Sequence, residues 1–594
     1  MKIETATLAC DANGTPWSAA FGDVFHSADS GPGQARHVFI GGNDLSANWA
    51  GRRTFTIVET GFGLGINFLA TWQAWRDDPA RPQRLHYVSI EKHPFCRDDL
   101  VTLHRRYAEF PALAAQLHAA WPLPLAGTHR LHFDDEGVTL TLVFDDVAHA
   151  LPRLRGGADA FYLDGFSPQK NPDMWSPRVM QALARLARND ATLATYTTAR
   201  TVKDALAQAG FAVERRRGFG RKRDMLCARY QPRWQPRHAP PAAPVWPRRH
   251  AMVIGAGMAG TAIAERLAQR GWSLDIIERN AAPAGAASGM HAGAFHPLLA
   301  RDDSHAARLS RAGFFYALQR WQTLDRAGRA PAWQRCGALQ LAGDDAEEAH
   351  MADTMRALDA PPSYTQFVNR DEASTFAGVP LRYGGYWFSQ GGWMRPASLA
   401  GANLAAAAAA TPLRQHFNTT VAKLAFADDE WRALDADGHC IATAPVVVLA
   451  NASDAAQLVD FAHALQNIRG QVACVPAAAV PAPRAVITGG GYLLPAIDGV
   501  VVAGASYDFD DADPLPHASG RAQIAAQMAQ MMRTDFPLEN ADGRVGFRCV
   551  AVDRLPLAGA VADVAAARAN AASLSGAQAD DLPRLRGVYA AVSY

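Results

Sequence analysis

Cysteine is sparse and scattered: seven residues in 594, none in a Cys-x-x-Cys pair. That excludes a disulfide framework and a thiolate zinc site, and it suits a reducing compartment. Excess charge is also missing. Lys and Arg number 58 against 57 Asp and Glu, a formal charge of +1, so any polyanion must be met by a local patch rather than a global field. No apolar run approaches the ~20 residues of a membrane span. The opening residues MKIETATLACDANGTP lack the basic, apolar and small-residue regions of a signal peptide. The expectation is a soluble, cytoplasmic chain with no membrane attachment, no metal and a monomeric state. A hydrophobic content of 49% with 19% charged residues excludes disorder. The length suggests about three or four domains or subdomains.

What is present is organised around Met252–Asn280. An apolar run, Met252 to Ile254, enters Gly255-Ala256-Gly257-Met258-Ala259-Gly260. A helix-forming segment, Thr261 to Gln269, and a second apolar run follow, ending at Glu278. Strand, glycine turn, helix, strand and acid is the order of the dinucleotide fingerprint. Gly255 permits the turn, Gly257 leaves room for a pyrophosphate, and Gly260 lets helix and strand approach. Glu278, eighteen residues past Gly260, is spaced to accept ribose hydroxyls. Arg279 beside it leaves a 2′-phosphate open. The small-residue run Gly285–Pro297, with Ser288 in it, is unlike a nicotinamide enzyme and suits a deeply held flavin. Gly391–Pro396 marks a substrate lobe. Thr420–Leu424, containing Val421, and Pro445–Ala450 are expected to return as strands to the dinucleotide domain. Gly470-Gln471, Gly504–Tyr507 and Arg548 through Arg554 supply turns and cations for an anionic substrate.

More than two hundred residues precede this motif, and they repeat its logic in another form. After an aromatic and glycine-rich lead-in over residues 1–50, expected to be β-rich, Thr54–Val58 reads as a strand. It is followed by Glu59-Thr60-Gly61-Phe62-Gly63-Leu64-Gly65 and a helix from Ile66 to Trp75. Further strands end at Glu91, at Asp145-Asp146 and at Asp164. Acids at the ends of successive parallel strands converge on one crevice of a doubly wound sheet, an arrangement suited to S-adenosyl-L-methionine. Gly61, Gly63 and Gly65 would admit its methionine portion, Glu91 would hold the ribose, and Asp145 or Asp146 would reach the adenine amine. The plainer alternative is that the strand-end acids cap helices. Asp164 is placed to orient an attacking amine and take up its proton, and Phe166 to stack on a base or close the site. Alternatively Asp164 caps a turn and Phe166 is core.

Arg215, Arg216, Arg217, Arg221, Lys222 and Arg223 crowd six basic side chains into the ten residues 214–223, a patch suited to phosphate backbone or simply a solvated face. The proline- and arginine-rich stretch 231–249 reads as a semi-rigid spacer. The domains expected are therefore a methyltransferase at 1–230, a linker at 231–249 and an FAD-dependent oxidoreductase at 250–594. The Ala-rich Leu404–Ala410 reads as helical composition bias.

ETGFGLGIN (59–67), YLDGFSPQKNPDMW (162–175) and FGRKRDML (219–226) resemble the methyltransferase half of the bifunctional tRNA wobble-uridine enzymes, the MnmC family. VIGAGMAG (253–260), ASGMHAGAFHPLL (287–299), GGWMRP (391–396), RGQV (469–472) and DRLPLAGA (553–560) resemble its flavin half, a relative of glycine oxidase and D-amino-acid oxidase. The resemblance implies an α/β fold: a Rossmann-like class I methyltransferase joined to an FAD-binding Rossmann domain with an α+β substrate lobe. It implies FAD and S-adenosyl-L-methionine as cofactors, and tRNA as partner. The flavin half would oxidise 5-carboxymethylaminomethyl-2-thiouridine at position 34 of tRNA to the aminomethyl form, releasing glyoxylate. The other half would N-methylate that amine. Asp164 and Phe166 carry over as catalytic. Glu59, Gly61, Gly63, Gly65, Glu91, Asp145, Asp146, Gly255, Gly257, Gly260, Glu278, Arg279, Ser288 and Val421 carry over as cofactor-binding, and the basic cluster with Arg548 as substrate-binding. In the family, the strand corresponding to Leu585–Tyr594 leads into a glycine-rich loop and a last helix against the flavin. Stopping at that strand leaves a second expectation: a tRNA methyltransferase whose truncated flavin domain is a non-catalytic module.

Overall fold

The computed structural model describes residues 3–594 except 13, 234–239, 241–243, 462, 539–540 and 578. It divides into two compact units, Met1–Pro244 and Val245–Tyr594. Much of the proline- and arginine-rich stretch, 234–239 and 241–243, lies outside the described residues.

The first unit is built on one eight-stranded sheet. Its strands are β1 (Thr54–Glu59), β2 (Arg84–Glu91), β3 (Gly127–Phe133), β4 (Val138–Phe144), β5 (Ala158–Tyr162), β6 (Ala187–Thr195), β7 (Phe211–Arg217) and β8 (Asp224–Tyr230), in the order β3-β4-β2-β1-β5-β6-β8-β7. The run β4-β2-β1-β5-β6 is parallel, and the other strands join it antiparallel. β4 and β5 are buried along their whole length, as central strands covered on both faces must be. Strand order reverses beside β1, so the crevice at the carboxyl ends of β1 and β5 is the switch point where such sheets bind ligands. Helix α1 (Ile66–Asp77) leaves β1 through the glycine loop. The lead-in departs from its β-rich expectation. Among its described residues it holds only the short strands Trp17–Ser18 and Asp23–Val24 before turning helical from Gly31 to Trp49. Its aromatic residues pack instead of pairing: Phe39 and Trp49 are fully buried in the core of the sheet.

The second unit carries a six-stranded sheet of β9 (His250–Ile254), β10 (Ser273–Ile277), β11 (Leu413–His416), β12 (Val446–Leu449), β13 (Leu557–Ala562) and β14 (Arg584–Val592), in the order β11-β10-β9-β12-β14-β13. All pairs are parallel except β13 with β14. Helix α2 (Met258–Ala268) follows β9. The Ala-rich segment is the end of helix Pro396–Ala410, whose Leu404 and Ala407 pack in the same core as Ala264 and Ala268 of α2. The small side chains thus serve close helix packing. Residues 446–449 return to this sheet as expected. Residues 420–424 do not: the strand here is Lys423–Ala427, in a separate three-stranded sheet with 430–434 and 440–444. A β-branched run signals a strand but not which neighbour it pairs with. The substrate lobe is a second eight-stranded sheet, from 366–368 to 542–551, beside a small sheet in which Gly392–Met394 pairs with residues 293–295 and 333–334. No described helix is long and apolar enough to cross a membrane.

Candidate active sites

At the carboxyl ends of β1 and β5 lies a cavity of about 560 Å³, within the usual ~300–1,000 Å³ of cofactor sites. Gly61, Gly63, Glu91, Asp145, Asp146, Asp164 and Phe166 line it, so most of the acids and glycines named from sequence meet at one place. Gly65 has φ +71° at the start of α1, and a Cβ there would fall 2.5 Å from the Phe62 ring. Only glycine fits that turn. A Cβ on Gly61 would press on the carbonyl of Asp164 at 3.1 Å, so the loop lies against the end of β5.

The acids divide by environment. Glu91 accepts the Gly63 N–H at 2.7 Å on one oxygen and the His93 N–H at 2.7 Å on the other, so it is fixed on the glycine loop with lone pairs to spare. Asp146 caps the helix Val147–Ala150 through Ala148 N–H at 2.8 Å and pairs with Lys92 at 3.0 Å. It therefore has the capping role set against adenine contact, while still lining the cavity. Asp145 accepts the N–H of Asp146 and faces His149 and Arg153.

Asp164 accepts the Gly165 N–H at 2.8 Å and an Asn67 amide hydrogen at 2.7 Å. Burial raises its pKa to about 6, against those bonds and the positive charge of Lys222. Glu59 sits behind it with no solvent exposure. Burial and the Asp164 charge push its pKa up to about 8, which favours the neutral acid at pH 7. Glu59 does not line the cavity. Phe166 stacks on Phe21 with centroids 4.5 Å apart and meets Phe25 edge-on at 5.2 Å. Both partners come from the lead-in, which sequence reading left without a role. Their scatter among glycines carried no periodic signal.

The basic cluster also divides. Arg215, Arg217, Arg221 and Arg223 are exposed, the first two on the edge strand β7, with no side-chain partner among the described residues. Arg216 is occupied by Glu214 at 2.6 Å and Asp44 at 3.1 Å. Lys222 reaches an aromatic ring: its ammonium lies 3.8 Å from the centre of Tyr196, whose hydroxyl donates to the Gly165 carbonyl at 2.7 Å. Burial lowers its pKa, with Asp164 and Asp23 opposing.

In the second unit, Gly255 has φ +99°, and a Cβ there would meet the Ala450 carbonyl at 2.5 Å. The first N–H of α2, on Met258, donates to the Ser288 hydroxyl at 3.2 Å; a Cβ on Gly257 would lie 3.2 Å from that oxygen. An oxygen acceptor over a helix start bare of side chains marks the place a pyrophosphate would take. Glu278, buried at the end of β10, accepts the Ala256 N–H at 2.8 Å and both nitrogens of Asn280. These residues fit FAD. Arg279 is engaged by Asp454 at 2.7 Å. Val421 lies half-buried against the core containing Met252, Ile254 and Ile277. Arg548 is exposed on strand Asp542–Ala551, near enough to moderate the burial that pushes the Tyr492 hydroxyl up to about 12. Arg469 is fully buried, held by Asp508 at 3.0 Å and the Asp513 carbonyl at 2.8 Å, and anchors the loop from 508 to 515.

Comparison with known proteins agrees with this division. The S-adenosyl-L-methionine-dependent methyltransferase family matches residues 108–231, and the FAD dependent oxidoreductase family matches residues 250–592. The protein is therefore a methyltransferase fused to an FAD-dependent oxidoreductase, with both cofactors implied, and a non-catalytic second half is not favoured. A tRNA 5-methylaminomethyl-2-thiouridine biosynthesis bifunctional protein MnmC from Burkholderia multivorans is 49% identical over 605 residues, 100% of this chain and 92% of that protein. Its counterpart in Ralstonia nicotianae is 49% identical over 99% of this chain and 91% of its own length. The chain belongs to this MnmC family. Among solved structures, a glycine oxidase from Bacillus cereus is 18% identical with a TM-score of 0.47, covering 58% of this chain and 91% of that one.

Proposed function

We propose that the chain carries out two successive steps on the wobble uridine of tRNA, in the cytoplasm. The second unit oxidatively removes the carboxymethyl group from 5-carboxymethylaminomethyl-2-thiouridine, and the first methylates the aminomethyl product. FAD supplies the hydride acceptor and S-adenosyl-L-methionine the sulfonium-bound methyl group. The chain's own residues do the rest. Asp164 receives a proton from the incoming ammonium, leaving a neutral nitrogen with its lone pair free to attack. Phe166, with Phe21 and Phe25, forms an aromatic wall that excludes water and offers a stacking face to the base. Glu91 and the loop 61–65 hold the methyl donor. Arg215, Arg217, Arg221 and Arg223 contact phosphates. In the second unit Gly257, Ser288 and the start of α2 hold the pyrophosphate, and Glu278 the ribose.

The observation that carries this reading is the meeting of Asp164 and Phe166 with the glycine loop in one cavity, in a chain that also has a dinucleotide loop. The test is methyl transfer from labelled S-adenosyl-L-methionine to tRNA bearing the aminomethyl base, with the label mapped by nucleoside digestion. Label at position 34, reduced at least about 100-fold by Asp164→Asn, is expected. Label elsewhere, or full activity in the variant, would dismiss it.

A further inference from the structure

The cavity hides a second carboxyl group that no step above uses. Glu59 closes β1 with no exposed surface, directly behind Asp164. One atom joins the two: Asn67 Nδ2 lies 2.9 Å from Glu59 Oε1 and 2.7 Å from Asp164 Oδ2, so its two hydrogens are divided between them. Asn67 sits in the first turn of α1, immediately beyond the glycine loop, and lines the cavity with Asp164. Ser89 Oγ on β2 lies 2.7 Å from Glu59 Oε2, and a hydroxyl serves a carboxylate as donor or a neutral acid as acceptor.

We propose that Asn67 is a positioning residue of the methyl-transfer site: its one amide nitrogen bridges Glu59 and Asp164, holds the Asp164 carboxyl at the cavity wall, and by donating to it favours its charged form. The inference rests on the methyl-transfer reading of this cavity. Two carboxylates sharing one site cannot both ionise cheaply. Of the two, Glu59 is the one with no route to water, and burial together with the Asp164 charge favours its protonated form. Asp164 also faces Lys222 and Glu91, and its charge is felt by Tyr196 and Tyr87; Glu59 faces Tyr87 and Tyr162. Lys222 is the one cation in that set and favours charge on Asp164. Asn67 thus acts through Asp164, donating to the charged form of an acceptor that must be ionised before it can take the amine's proton.

Removing the amide withdraws a hydrogen bond from both carboxylates, and the sign follows: each becomes harder to ionise. Asn67→Ala in the full chain is expected to raise the acidic limb of the methyl-transfer kcat/KM profile by about one pH unit or more. Asn67→Ser, which restores one donor, is expected to recover part of that shift. Glu59→Gln has the shape of the neutral acid. It should abolish the infrared carbonyl stretch of a buried protonated carboxyl in the purified protein at pH 7, a readout independent of turnover. An acidic limb unmoved in Asn67→Ala despite a lower kcat would make Asn67 merely structural and overturn the proposal. Absence of that carbonyl band from the parent, or its survival in Glu59→Gln, would overturn it as well. Failure of the parent to methylate the tRNA would instead sink the methyl-transfer reading, while the infrared band would still report on the pair.

Discussion

Replacing Gly260 by Ala is the sharpest test of the flavin half. The added Cβ would fall 1.9 Å from the carbonyl oxygen of Gly255 and 3.3 Å from the Cβ of Ala450. To regain an ordinary separation of about 3.4 Å, α2 must recede from the end of β9 by about 1.5 Å. Overpacking of this kind costs ~1–3 kcal/mol, and more where backbone must move, as here. The same recession carries the N–H groups at the start of α2 away from any phosphate they hold. Losing about two charge-assisted bonds of ~1.5–3 kcal/mol each corresponds to roughly 10²- to 10⁴-fold weaker FAD binding. The assay is flavin absorbance per mole of protein after gel filtration. Methyl transfer serves as an internal control, because the first unit is a separate compact body. Low flavin content with methyl transfer retained is expected. Full flavin occupancy and an unchanged melting temperature would refute the packing reasoning.

Other expectations follow from the same geometry. Methyl transfer should fall as pH drops through about 6, because the raised Asp164 pKa leaves the carboxyl protonated below it; a pH–rate profile flat to pH 5 would exclude Asp164 as proton acceptor. Replacing Arg221 and Arg223 by Ser should weaken tRNA binding and reduce the slope of log K against log salt by about one for each phosphate no longer neutralised, whereas unchanged slopes would return them to a solvated face. Asp275 is fully buried among His250, Arg414 and His416, whose hydrogen bonds overcome burial and hold its pKa well below the usual range. Its contribution is complete above the ordinary carboxylate range and is lost as pH falls through its depressed folded pKa. Asp275→Asn should destabilise the second unit by ~3–5 kcal/mol in thermal unfolding at pH 7.

The sequence was most readable where backbone geometry restricts residue type. Gly65 and Gly255 need positive φ, Gly260 needs a bare Cα, and strand-end acids mark a crevice, so the glycine turns and the acid-lined cavity were legible without a structure. It was least readable where function depends on residues far apart in the chain. Asn67 meets Asp164 across 97 positions, and Ser89 meets Glu59 across 30, and no spacing rule announces either. Phe21 and Phe25 looked like scattered aromatics until the fold set them against Phe166. The cations were misleading for the same reason. Arg216 reads as part of the basic patch, yet Asp44 and Glu214 engage it. Charge along the chain does not reveal whether a partner already holds it.

The central claim is that one chain performs both steps on one base. Its most direct test is nucleoside mass analysis of tRNA carrying the carboxymethylaminomethyl group, incubated with FAD-loaded protein with and without S-adenosyl-L-methionine. The aminomethyl nucleoside is expected to accumulate without the methyl donor and to be replaced by the methylaminomethyl nucleoside when it is supplied. An unaltered carboxymethylaminomethyl base in both incubations, alongside methylation of separately prepared aminomethyl tRNA, would contradict the claim.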